Sequence, residues 1–317
     1  MDKRTIISLG LLGTVLLITH FGYAYRVPGL WIVITYALIY LFLGRFIKSK
    51  PDIQLTKSWP TSGPIGRFGQ TGLATVFYSS GLLGLLNPFQ MTQIILQGVG
   101  NILLRFREYP LADISNSHKV VQCRVPVSGT WLVYNGGITP DSSHSWGVLT
   151  QRYAYDLVKA DEGYHRHSGT GTKVTDYYCY GEPVYAVATG EVVKVVSNIR
   201  TSPFVGFGLA DFLATNLIGN HLIIKHGERE FSFYAHLMPG SIGVSIGEQV
   251  SAGQVIGRCG HSGHSSEPHL HFHMQDRKNF FFAMGLPVRF TNITVTHNSP
   301  DQTFLQAGDR FSSTLSN

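Results

Sequence analysis

The stretch EPHLHFHMQD, Glu267 to Asp276, sets His269, His271 and His273 at every second position. Period two is the repeat of a β-strand, in which alternate side chains share a face and lie roughly 6.6 Å apart at about 3.3 Å rise per residue. A strand is therefore expected here, with three imidazoles on one side. The spacing suits a metal centre in which one ring binds the ion while its neighbour reaches whatever the ion activates. A histidine-rich surface strand would carry the same pattern, so other residues must decide between the two readings.

From about Val120 onward the chain consists of short β-rich runs punctuated by glycine, among them EPVYAVATGEVVKVV, GNHLIIKHGEREFSFYAHL and GVSIGEQVSAGQVIG. Valine, isoleucine and aromatic residues alternate with turn formers, which predicts an antiparallel β domain. GEPVYAVATGEVV (Gly181 to Val193) and GEQVSAGQVIG (Gly247 to Gly257) echo one another, as in a duplicated barrel-sandwich of the lipoyl-domain kind. The expected fold class is mainly β, an antiparallel β sandwich or barrel-sandwich hybrid spanning 120–295. Residues 296–317 are expected to be a polar tail that frays.

The N-terminal part has a different texture. Only 14% of the 317 residues are charged, against about 25% in an average soluble domain, and the deficit is concentrated here. Thr5 to Tyr25 and Leu30 to Phe46 each approach the roughly 17 to 25 apolar residues of a spanning helix, so 1–50 reads as an anchor of two transmembrane helices. A signal peptide would need a small-residue cleavage site and a polar mature start, whereas RVPG leads straight into the second apolar run. Residues 51–119 read as a juxtamembrane region. It holds a possible third membrane segment, Thr71 to Leu86, and an amphipathic helix marked by Met91, Ile95, Val99 and Ile102, which could lie in the interface or pack under the next domain. Lys3 and Arg4 before the first run, and Arg45, Lys48 and Lys50 after the second, place both outer flanks in the cytoplasm. A C-terminal domain outside the cell then requires a further crossing.

The net charge of +6 is scattered rather than gathered in a stripe, which argues against a nucleic-acid partner. Cys123, Cys179 and Cys259 are too few for a disulfide scaffold and lack paired metal-ligand spacing, so buried free thiols are expected.

Three further places bear on the histidine strand. FYAHLMPGS puts His236 at the end of an aromatic strand, TQRYAYDLV buries Asp156 among apolar residues where it needs a cationic partner, and SSHSWGV supplies His144 upstream. Histidines and one carboxylate suit zinc, whose catalytic sites keep three protein ligands and an open position. His261 and His264, in a Gly/Ser loop, are expected to face solvent or substrate, Glu267 to cap its loop, and His221 and His226 to be structural.

GHSGHSSEPHLHFH, YAHLMPGS, IGEQVSAGQVIGRCG and GEPVYAVATGEVV together resemble the lysostaphin/LytM-type zinc metallopeptidases, metallopeptidase family 23, over roughly Val125 to Asp276. The resemblance implies zinc ligands at Asp156 and His271, with His236 and His269 lining the reaction centre. It also implies hydrolysis of peptide cross-links in bacterial peptidoglycan by a metal-activated water, on the outer face of a membrane. The family commonly places its remaining ligand four residues before the aspartate, where this chain has Arg152, and a guanidinium has no lone pair to give. His144 is the expected substitute, with His165 and His167 as alternatives. The departure leaves open a second reading, a metal-free scaffold that activates other wall hydrolases. A third, a carrier module on the same duplicated strands, would need an exposed Lys or His at a hairpin tip.

Overall fold

The computed structural model describes residues 69–107, 120–296 and 304–313. The two expected anchoring helices lie outside them. The first described elements are helices α1 (Gly69–Gly84) and α2 (Pro88–Phe106). Asn87 caps α2, its side chain accepting from Phe89 N, and Pro88 occupies the first turn, where a missing N–H costs nothing. No helix among the described residues is long and apolar enough to cross a membrane. The 16 residues of α1 extend about 24 Å at ~1.5 Å per residue, short of a ~30 Å hydrocarbon core.

Fourteen strands follow: β1 (Val121–Arg124), β2 (Gly129–Asn135), β3 (Tyr155–Val158), β4 (Pro183–Tyr185), β5 (Gly190–Val196), β6 (Asn220–Gly227), β7 (Glu230–Leu237), β8 (Gln249–Val250), β9 (Val255–Arg258), β10 (Leu270–Gln275), β11 (Gly285–Leu286), β12 (Val288–Thr291), β13 (Ile293–Val295) and β14 (Arg310–Ser313). The main sheet runs β13-β14-β2-β3-β10-β7-β6-β5-β8, with β11 added at β10, and its pairs are antiparallel. The architecture is mainly β, as the glycine-punctuated runs predict. The two echoing segments pair with each other, β4 with β9 and β5 with β8. One correction falls at the C-terminal end. Residues 310–313 do not fray but form β14, where Phe311 is buried opposite Trp131.

Alternation decides which face each strand buries. Leu270, Phe272 and Met274 of β10 enter the main core with Tyr155 and Leu157 of β3, Trp131 and Val133 of β2 and Tyr234 of β7. Each large side chain so buried contributes about 1.5–3 kcal/mol. The intervening positions of β10, the histidines, therefore face the other way. That second face is closed in part by a smaller apolar cluster of Phe231, Phe233, Ala235, Ile218 and Ile223, with Phe280 and Phe281 against it. Helix α2 crosses this region at Gly100, where an added Cβ would stand 1.8 Å from the Phe281 carbonyl oxygen.

Candidate active site

Register brings the key pair together. Asp156 on β3 lies directly opposite His271 on β10, and His271 lies opposite Ala235 on β7. A bulge in β2 between Val133 and Asn135 re-aims Asn135 onto the same aspartate. Asp156 Oδ1 is 3.0 Å from His271 Nδ1 and 3.7 Å from His269 Nε2, while Oδ2 accepts from Asn135 Nδ2 at 3.0 Å and lies 3.5 Å from His144 Nε2. Burial alone would raise this carboxyl, but His144, His269 and His271 outweigh it and hold Asp156 well below the usual carboxylate range. The side chain is thus an anion in a nearly dry site.

His144 arrives on an irregular loop whose ends are tied. Ser143 Oγ donates to Arg152 O at 2.7 Å, and Arg152 donates from Nε to Trp146 O at 3.1 Å while stacking over that indole at 4.7 Å. Arg152 therefore clamps the loop that carries His144. A third of the His144 side chain stays exposed. Its pKa is nonetheless lowered, by desolvation first and then by His271 and His269, against the opposing pull of Asp156. His165 and His167 are placed differently: His165 Nδ1 lies 3.2 Å from Asp161 at the surface and His167 packs on Tyr177.

His236 sits at the end of β7 with φ of 59°, the left-handed region that costs a non-glycine residue strain. The loops beside it explain how the conformation is held. Gly219 and Gly263 pack backbone to backbone, a Cβ on Gly263 meeting Gly219 N at 2.3 Å, and this sets the Ser262 carbonyl to accept from His236 Nδ1 at 2.8 Å. The His236 and His269 rings lie 4.7 Å apart and those of His236 and His271 5.9 Å. Burial first, then His269 and His271, push the His236 pKa well below the ordinary value, so the ring is neutral at pH 7. Its Nδ1 is committed as a donor, so Nε2 carries the lone pair. His269 is set likewise, its Nδ1 donating to Glu267 O at 2.8 Å, with Ser265 Oγ 3.3 Å from the same nitrogen.

Three expectations are corrected here. His261 does not face solvent: it is fully buried, because Gly260 and Gly263 let its loop pack onto the backbones of Met238 and Gly219. His264 is largely covered too, its ring edge-on to Phe77 of α1 at 5.7 Å. Glu267 is no loop cap but forms a buried ion pair with Arg166, whose guanidinium also lies over Tyr134 at 4.6 Å.

A chain of hydrogen bonds fixes the protons on the ligand candidates. Gln275 Nε2 donates to Arg277 O at 2.8 Å, which orients the amide so that Oε1 accepts from His273 Nε2 at 2.9 Å. His273 Nδ1 must then accept, and it does so from His271 Nε2 at 3.2 Å. That leaves His271 Nδ1 facing the Asp156 carboxylate at 3.0 Å, a nitrogen that donates to it when protonated and can bind a cation when not. Among the described residues no group of three His, Cys, Asp or Glu side chains is arranged, as it stands, to hold a metal ion. The donor chemistry still fits a divalent ion. His271 Nδ1 lies 3.0 Å from Asp156 Oδ1 and His144 Nε2 3.5 Å from Asp156 Oδ2, so two imidazole nitrogens meet the two oxygens of one carboxylate, the donor types that zinc takes. His271 Nδ1, an oxygen of Asp156 and His144 Nε2 are the atoms that could hold it. Asn135 and Gln275 were not singled out as parts of the site from sequence. Gln275 could have been found by extending the period-two pattern past His273, whereas Asn135 depends on the bulge.

The site is thus a buried carboxylate ringed by imidazoles on one face of an antiparallel sheet. Residues 166–281 match the family model described as Peptidase family M23. The match contains His236, His269 and His271, whereas His144 and Asp156 precede it. The chain is 34% identical over 151 residues to the peptidoglycan DD-endopeptidase ShyA of Vibrio cholerae, covering 48% of this chain and 26% of that protein. It is 33% identical over 92 residues to lysostaphin of Staphylococcus staphylolyticus, covering 29% and 16%. The alignments thus span about a quarter or less of these relatives. Among solved structures, the catalytic domain of lysostaphin from Staphylococcus simulans aligns with 50% of this chain and 88% of that one, at 19% identity and a TM-score of 0.30.

Proposed function

We propose that the protein is a zinc-dependent endopeptidase that hydrolyses peptide bonds in bacterial peptidoglycan. The observation that carries this reading is the convergence of His271 Nδ1 and His144 Nε2 on the ionised carboxylate of Asp156, with the His236 ring beside those of His269 and His271. His144, Asp156 and His271 would hold the metal. When bound, zinc supplies a Lewis acid that polarises a carbonyl and acidifies water.

The chain's own residues do the rest. His236 and His269 each present Nε2 as a lone pair, because Ser262 O and Glu267 O hold the respective Nδ1 protons. One of them takes the proton of the attacking water as its oxygen adds to the scissile carbonyl carbon, and the imidazolium formed returns a proton to the nitrogen as the C–N bond breaks. Their low-dielectric surroundings strengthen each of these interactions. The buried Arg166–Glu267 pair anchors the backbone segment whose carbonyl orients His269.

The domain is proposed to be held at a membrane by Thr5–Tyr25 and Leu30–Phe46, on the outer side where wall peptides lie. With Lys3 and Arg4 in the cytoplasm and α1 too short to cross, that side requires that one of these two runs spans and the other does not. Reporters fused after Leu104 and after Asn317 test the side, and cytoplasmic signal from both would exclude wall hydrolysis. Digestion of purified muropeptides tests the activity: the wild type should release cleaved cross-links, and His236→Ala should lose ~10²–10⁴-fold in kcat while keeping its zinc. A wild type that cleaves nothing, yet stimulates a separate wall hydrolase equally well as His271→Ala, would establish the scaffold reading instead.

A further inference from the structure

Helix α2 is turned inside out relative to a helix of a water-soluble domain, which buries its apolar stripe and exposes its polar one. Here the amides point inward. Gln90 Nε2 donates to Asp211 O and Ala214 O, Gln93 bonds Thr215 O and Leu217 N, and Asn101 bonds Gly147 O and Leu149 N. These contacts fasten α2 to the loop that carries His144 and to the 211–217 loop. At ~100° per residue, Ile95, Val99, Leu103 and Phe106 form a stripe on the opposite side, and all four are exposed, Phe106 to 80%. Leu86 and Phe89 extend the apolar surface toward the turn from α1.

We propose that this stripe lies in the surface of a lipid bilayer, with α2 parallel to the membrane plane and the peptidase domain bound to its inner, amide-bearing side. The inference deepens the membrane part of the reading above and rests on it. Three observations select lipid as the occupant. From Phe68 to Leu104 the chain holds no charged residue, so nothing on α1 or most of α2 opposes entry into an apolar phase. The polar side chains of α2 that a membrane would penalise are those the domain's loops satisfy. The sequence ahead of α1 contains two apolar runs of spanning length, the second ending at Phe46, which puts a bilayer within reach of α2. An interfacial helix of this kind buries its apolar face about 5–10 Å deep. Because the same helix grips the His144 loop, the site would be held at a fixed height above the membrane.

The test uses the full chain reconstituted into vesicles of phosphatidylethanolamine and phosphatidylglycerol. Val99→Cys takes a thiol-reactive environment-sensitive fluorophore selectively, since Cys123, Cys179 and Cys259 are buried. Labels at Leu38→Cys and at Gln249→Cys, the exposed position of β8, serve as references. The expected result is blue-shifted emission at position 99, quenched by lipids carrying a nitroxide near the headgroup, with Gln249 unaffected. Quenching at 38 without quenching at 99 would overturn the interfacial placement while leaving the anchor intact, and quenching at neither would overturn both. A label at 99 that is shielded but unquenched would also overturn it: with a 99–99 disulfide between chains a second copy covers the stripe, and without one the chain's own N-terminal runs do.

Discussion

Replacing Gln275 with leucine should weaken zinc binding without touching any proposed ligand. Gln275 Oε1 is the acceptor that fixes His273 Nε2–H, and through it the proton on His271 Nε2. Without that acceptor the buried His273 N–H is left unsatisfied, a cost of about 1–3 kcal/mol, or the ring changes tautomer and presents Nδ1–H to His271. The second outcome drives the His271 proton onto Nδ1 and removes the lone pair that faces Asp156. Either way affinity should fall by ~10–100-fold, the usual size of an effect on residues that orient a ligand, equal to about 1.4–2.8 kcal/mol. Gln275→Glu keeps an acceptor for His273 and should retain most of the affinity. Competition against a chromophoric chelator measures the change, and ring-nitrogen NMR of labelled histidines reads the tautomers. Zinc affinity of Gln275→Leu within about threefold of wild type, outside the range expected for such residues, with unchanged His271 nitrogen shifts, would refute the reasoning.

Other outcomes follow from the same structure. Gly100→Ala would drive a methyl group into the Phe281 carbonyl and should lower stability by about 1–3 kcal/mol, seen as a lower thermal midpoint. His221, buried with Nδ1 donating to Gly219 O, is held by burial at about 4. Its folded pKa is below the unfolded ~6.5, so its stabilisation is present above pH 6.5 and is lost as pH falls toward 4. The difference of about 2.5 units is worth about 3 kcal/mol, and His221→Phe should flatten that part of a urea-midpoint against pH curve. His144→Ala should lose zinc affinity, and adding Arg152→His should not restore it, because position 152 is directed at Trp146. Recovery in the double variant, measured by chelator competition, would show that position 152 can reach the ion.

Much of this was legible in the sequence because it depends on local periodicity. The alternation in LHFHMQ put three histidines on one face, and the same alternation sent Leu270, Phe272 and Met274 into the core. The echo between residues 181–193 and 247–257 became paired strands. What depends on long-range packing was less accessible. The burial of His261 rests on glycine backbones meeting across two loops, and β14 finds its place beside β2 through Phe311 and Trp131, neither of which a local pattern encodes. The loop carrying His144 has no period at all. Its proximity to Asp156 depends on the Arg152 clamp, which looked from sequence only like a missing ligand.

The central claim concerns one ion and three side chains, and metal stoichiometry tests it most directly. The purified chain, stripped with chelator, reloaded with zinc and passed through a desalting column, should retain one zinc per molecule by elemental analysis, while Asp156→Ala and His271→Ala, shown to be folded, should retain none. A wild type that comes through without zinc, or variants that keep it, would contradict the account.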